Sequence, residues 1–140
     1  MTRKLIGVAI SAAALLGGCA ISREAQLERK ADQVEASLKS EQTKVLASSM
    51  ADKPVRLDYL TSLRNQLSLA NVARGAVPYT VPEDKRPLAW DILDEVYGTL
   101  EWNIPLAPSQ ARPMPAGFAN GALNLNAAAA APSKPQGIAK

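Results

Sequence analysis

VRLDYLTSLRNQLSLANVAR, Val55 to Arg74, decides the fold. Leu57, Leu60, Leu63 and Leu67 recur at three- and four-residue steps, with Tyr59 and Ala70 at the edge of the stripe they draw. That spacing gathers apolar side chains on one face of an α-helix. Asp52 is placed to cap the helix and Pro54 fits its first turn, where a missing N–H costs nothing. Gly75 supplies the expected stop. A leucine stripe of this kind forms core, so the rest of the chain must supply helices to cover it.

Two segments answer. From about Ser22 to Met50 the chain has no Gly or Pro and is rich in Glu, Gln, Lys, Arg, Ala and Leu, all helix formers apart from the caps. Leu27, Ala31, Val34, Leu38 and Val45 follow heptad-like steps if Glu41 takes one seam position. Two readings stand side by side: an amphipathic helix that leans on the rest of the protein, or a coiled-coil-like stalk that pairs with a partner or a second copy. Leu27, Val34 and Leu38 are the candidate partner contacts of the stalk. The second segment runs from Pro87 to about Trp102, with Asp84 a candidate cap. Leu88, Ala89, Ile92, Leu93, Val96 and Leu100 cover a broad arc there, and Asp91, Asp94, Glu95 and Glu101 the opposite side. Trp90 and Tyr97, seven residues apart at one edge, read first as core packing and second as a partner site, since aromatics concentrate at binding hot spots. AVPYTVP, Ala76 to Pro82, reads as an extended linker because of its two prolines.

Charge suggests how the two central segments pair. Residues 52–74 carry four cations against two acids, and residues 83–102 two cations against six acids. An antiparallel hairpin would set the basic half beside the acidic half, held mainly by apolar burial. Beyond Asn103, Pro, Gly, Asn and an alanine run replace the pattern. That composition offers little apolar surface to offset ordering entropy, and predicts a disordered tail in which Met114 and Phe118 are isolated docking points. The expected fold is therefore all-α. Residues 19–51 form an amphipathic or coiled-coil-like helix, 52–104 an antiparallel helical hairpin and 105–140 a disordered Pro/Ala-rich tail.

The 140 residues include no histidine and one cysteine. Histidine-dependent catalysis, imidazole metal ligation and a disulfide framework within the chain are excluded together. There is no Gly-rich phosphate loop and no acidic calcium loop. Asp91, Asp94 and Glu95 read as a solvated helix face rather than a tuned acid–base pair. The chain is expected to be no enzyme and to need no metal or diffusible cofactor.

The single cysteine, Cys19, follows directly on residues 1–18. Arg3 and Lys4 precede a short apolar run, Leu5 to Leu16, followed by Gly17 and Gly18, which is the layout of an export signal. About a dozen apolar residues fall short of the roughly 20 that span a bilayer as a helix. Removing the leader takes two of the 16 cations and leaves 14 against 13 acids, so no nucleic-acid footprint remains.

Leu16-Gly17-Gly18-Cys19 resembles the lipobox of bacterial lipoprotein precursors. The resemblance covers the leader alone. It implies cleavage before Cys19, a diacylglyceryl group on its sulfur and an N-acyl chain on its new amine. Two or more acyl chains make a durable anchor. Ala20, where an Asp would imply inner-membrane retention, points to the outer membrane, facing the periplasm.

Three roles are compatible with such a chain. The first is a docking or assembly factor for a cell-envelope complex. The second resembles the outer spanins of phage lysis, lipoproteins that engage an inner-membrane coiled-coil partner. The third resembles the murein lipoprotein, with Lys140 as the attachment point to peptidoglycan. No nucleic acid is expected as a partner in any of them.

Overall fold

The computed structural model describes residues 21–130. The two terminal attachment candidates, Cys19 and Lys140, and the leader lie outside the described residues. Among the described residues the chain is helical, with no strand. Helix α1 spans Arg23–Ala47, α2 Lys53–Thr80, α3 Arg86–Asn103 and the short α4 Leu125–Ala130.

α1, α2 and α3 form an up–down–up three-helix bundle in which each packs on the other two. Within residues 52–104 lie α2 and α3, which pack on each other as a pair. Its groove is filled by α1: Leu27, Ala31, Val34, Leu38 and Val45 are all buried, among Leu60, Leu63, Leu67, Ala70 and Val77 of α2 and Ala89, Leu93, Val96 and Leu100 of α3. Of the two readings of the heptad stripe, the one that leans on the rest of the protein is observed. An aliphatic stripe exposed in water would forgo about 1.5–3 kcal/mol per large side chain, and the groove is at hand within the same chain.

Local signals account for the ends of α1. Ser22 caps it, its Oγ accepting from the Ala25 N–H at 3.2 Å, and the Ser48 hydroxyl closes it by donating to the Val45 carbonyl at 2.7 Å. α2 departs from expectation. It passes through Gly75 and Pro78 and ends at Thr80, so most of the segment read as a linker is helix. Gly costs about 1 kcal/mol in a helix and an interior Pro about 3 kcal/mol. Opposing them, Val77 is fully buried, and the Arg86 guanidinium accepts the role of cap by donating to the Pro78 and Val81 carbonyls at 3.0 and 3.1 Å. Pro78 forgoes the bond its N–H would make to the Arg74 carbonyl, and the pattern resumes beyond it with the Val81 N–H on the Val77 carbonyl at 3.0 Å. Asp84 does not cap α3 but sits in a single 3₁₀ turn, Glu83–Lys85, that leads into it.

The segment expected to be disordered is packed as far as the described residues extend. Two 3₁₀ turns, Pro108–Gln110 and Ala116–Phe118, bring it back along α3. Phe118 is 1% exposed and Met114 packs against the core, so neither is an isolated docking point. Two features hold the segment. The buried Asn103 side chain clamps Arg112, donating to its carbonyl at 2.9 Å and accepting from its N–H at 2.8 Å. Gly117 lies so close to Ile92 and Ala128 that a Cβ would stand 2.9 and 3.0 Å from their side chains. A polar clamp and one aromatic anchor thus offset the ordering cost that composition alone suggested would win.

Candidate functional site

The sequence candidates separate into core and surface. Leu27, Val34 and Leu38 are 2% exposed or less and face the bundle interior, so the seam is not offered to a partner. Tyr97 is also fully buried. Its hydroxyl donates to Asn71 Oδ1 at 2.9 Å and accepts from Arg74 Nη1 at 3.0 Å, with the guanidinium also near the ring face. Burial pushes the phenol up from its ordinary value, and the Arg74 charge opposes this. Trp90 is half-buried against the core. Seven-residue spacing placed Trp90 and Tyr97 on one side of α3, but the wide apolar arc of that helix carried both toward its neighbours.

Two acids of α3 are paired across the bundle. Asp91 meets Arg23 at 2.6 Å and Asp94 meets Lys30 at 2.7 Å, both from α1. The ion pairing expected between α2 and α3 is therefore replaced here by pairs that tie α3 to α1. Partly exposed pairs of this kind add at most about 1 kcal/mol each, so they set register more than stability. Among the described residues no three His, Cys, Asp or Glu converge as a metal site, and no helix is long and apolar enough to cross a membrane.

Arg56 was not singled out by its position in the leucine helix, yet it organises one end of the bundle. Only 10% of its side chain is exposed. It donates to the carbonyls of Ile104 and Leu106 and to Glu41 Oε1, and lies over the Tyr59 ring. Those carbonyls belong to the end of α3, where backbone acceptors lack helical donors. Nothing in the local sequence marks this contact, because its acceptors lie some 50 positions away.

Most of the large apolar side chains left exposed gather at one end of the bundle and along the outer side of α2. At the corner between α1 and α2, Leu46, Met50 and Val55 are 62%, 42% and 61% exposed. The Lys53 ammonium donates to the Leu46 carbonyl at 3.1 Å and closes this corner. Nearby on the same end, Trp102 is half exposed, with the Arg112 guanidinium over its ring at 3.8 Å. The opposite end gathers the start of α1, the end of α2 and the start of α3, as the Arg23–Asp91 and Arg86–Pro78 contacts require. From the middle of α2 to this end, Leu69, Val72 and Tyr79 are 47%, 72% and 89% exposed on its outer side. Arg23, the first residue of α1, stands at this second end, and Cys19 precedes it by four positions in the sequence.

The described residues thus form a helical bundle with apolar side chains exposed at the α1–α2 corner and along the outer side of α2. No protein-family model, no curated protein and no solved structure matches the chain.

Proposed function

We propose that the chain is a lipid-anchored docking or assembly factor, held at the outer membrane through acylated Cys19 and facing the periplasm. The observation that supports this reading is the placement of Leu46, Met50 and Val55, an exposed apolar corner at the end of the bundle opposite to Cys19. α1 has 25 residues, which separates that corner from the anchored end by about 37 Å at 1.5 Å per residue. The partner is a component of an envelope protein complex, reached by the far corner while the near end stays at the membrane.

The spanin-like and murein-lipoprotein-like roles both draw on a coiled-coil seam, and the seam residues Leu27, Val34 and Leu38 are occupied within the chain. The docking role needs no such seam. A photo-crosslinking amino acid placed at Leu46 or Val55 in intact cells tests it. One reproducible envelope protein, captured from both positions and not from Asn65 on the flank of α2, is the expected result. Equal labelling from all three positions, or no reproducible partner, contradicts the docking role.

A further inference from the structure

The outer side of α2 carries a second heptad series: Val55, Asp58, Ser62, Asn65, Leu69, Val72, Ala76 and Tyr79. It lies opposite the buried stripe of Leu60, Leu63, Leu67, Ala70 and Val77. Its character changes along the helix. Between Asp58 and Asn65 it is polar. From Leu69 to Tyr79 every member is apolar or aromatic, and this half adjoins the end of the bundle from which Cys19 departs. The turn of the C-terminal segment borders it, since Gly121 sits against Leu69 so closely that a Cβ would be 2.7 Å from its Cδ1.

We infer that the stripe Leu69–Val72–Ala76–Tyr79 lies on the lipid surface beside the anchor, with the bundle tilted onto the outer face of α2. The inference rests on the proposed acylation of Cys19. The length of chain between anchor and bundle is its main support. Four residues from Cys19 to Arg23 reach at most about 14 Å. Arg23 pairs with Asp91, five residues into α3, so the α2–α3 corner projects about 7 Å past the start of α1. Even a fully extended tether therefore leaves the corner within about 7 Å of the Cys19 backbone level, comparable to the 5–8 Å depth of one headgroup layer. A bundle so held cannot keep its near end away from the bilayer.

The residue types fit an interface. Tyr79 combines an apolar ring with a hydroxyl that stays hydrated, the property that concentrates tyrosine at membrane surfaces. The charges beside it, Glu83, Asp84, Lys85 and Arg86, are balanced, so the contact is apolar rather than polybasic and does not depend on anionic lipid. A weak contact suffices, because the tether holds the stripe at high local concentration against the surface.

The test uses the full-length, processed protein in vesicles of phosphatidylethanolamine and phosphatidylglycerol. Cys19 is the natural chain's one cysteine, so once it is acylated, an introduced thiol is the sole site for a nitroxide label. Labels go at Ala76→Cys, inside the stripe, and at Ser62→Cys, on its polar half. The ratio of collisions with oxygen to collisions with a water-soluble nickel chelate is then measured. The expected result is a severalfold higher ratio at position 76 than at 62, unchanged by high salt and abolished by Val72→Ser with Tyr79→Ser. Equal, water-like ratios in protein that carries acyl chains and floats with the vesicles overturn the inference and leave the anchor standing. Loss of access to both reagents at 76 overturns it in favour of a protein neighbour, either a second copy or an envelope protein. Protein with no acyl chain on Cys19 overturns the anchor and the inference with it.

Discussion

Two stripes of the same heptad spacing run along this molecule and meet opposite fates. On α1, Leu27, Ala31, Val34, Leu38 and Val45 are buried in the bundle. On α2, Leu69, Val72 and Tyr79 lie in an equally regular series and face outward. Periodicity states which side chains share a face. What that face touches depends on the supply of other surfaces. α2 already has an inner leucine stripe, and one helix cannot turn two opposite faces into the same core. The outer stripe therefore stays outside the core, bordered at Leu69 by Gly121, and the proposed acylation of Cys19 would bring it to a lipid surface.

The contrast can be broken most forcefully from the α1 side. Leu38 is 1% exposed, and Leu38→Ala removes its packing and leaves a cavity, for an expected loss of about 2–5 kcal/mol. Urea unfolding of residues 20–140 by far-UV circular dichroism reads it directly. A loss below about 0.5 kcal/mol, within the range of surface substitutions, would mean that α1 is no part of the core. That variant also separates a helix that completes the bundle from a stalk that stands apart, because a stalk would leave α2 and α3 unaffected.

A smaller effect is expected at Tyr97, where α3 meets α2. Its phenol titrates above its ordinary value of 10.0 because burial opposes the charged form. The unfolded chain therefore releases this proton first as pH rises. The stabilisation is complete below pH 10.0 and is lost as pH climbs from there through the raised folded value. Tyr97→Phe should cost about 1 kcal/mol at neutral pH through its two lost hydrogen bonds and flatten the fall in stability at high pH. An unchanged alkaline slope in the variant would show that Tyr97 does not carry it.

The smallest change in stability is expected on the outer stripe. Val72 is 72% exposed, so Val72→Ser should shift unfolding by no more than about 0.5 kcal/mol. Stability lost on the scale of Leu38→Ala would show that the two stripes are not opposites and that Val72 is held by a second copy.

Much of the helical architecture is legible in the sequence. Ser22, the leucines of α2 and the apolar arc of α3 announce three helices and their inner faces. The limits of α2 are not, because Gly75 and Pro78 argue locally for a break while Val77 and Arg86 act through tertiary contact. The packing of residues 105–128 is hidden for the same reason. Asn103 and Phe118 each look unremarkable in place, and only their distant partners, Arg112 and the α3 surface, reveal their roles. Among the site residues, Tyr97, Leu27, Val34 and Leu38 are legible as core or as partner contacts, and only the packing of the three helices decides between the two. Arg56 and the outer stripe of α2 were missed. The latter carried a signal all the same, a second heptad register on a helix whose first was already assigned.

The proposed polarity of the molecule, with one end at the membrane and the other toward a partner, depends on Cys19. The intact mass of the protein extracted from bacterial membranes tests it most directly. The account predicts a chain that begins at Cys19 and carries one diacylglyceryl group and one N-acyl chain. A chain that retains residues 1–18, or begins elsewhere with its cysteine as a free thiol, would contradict it.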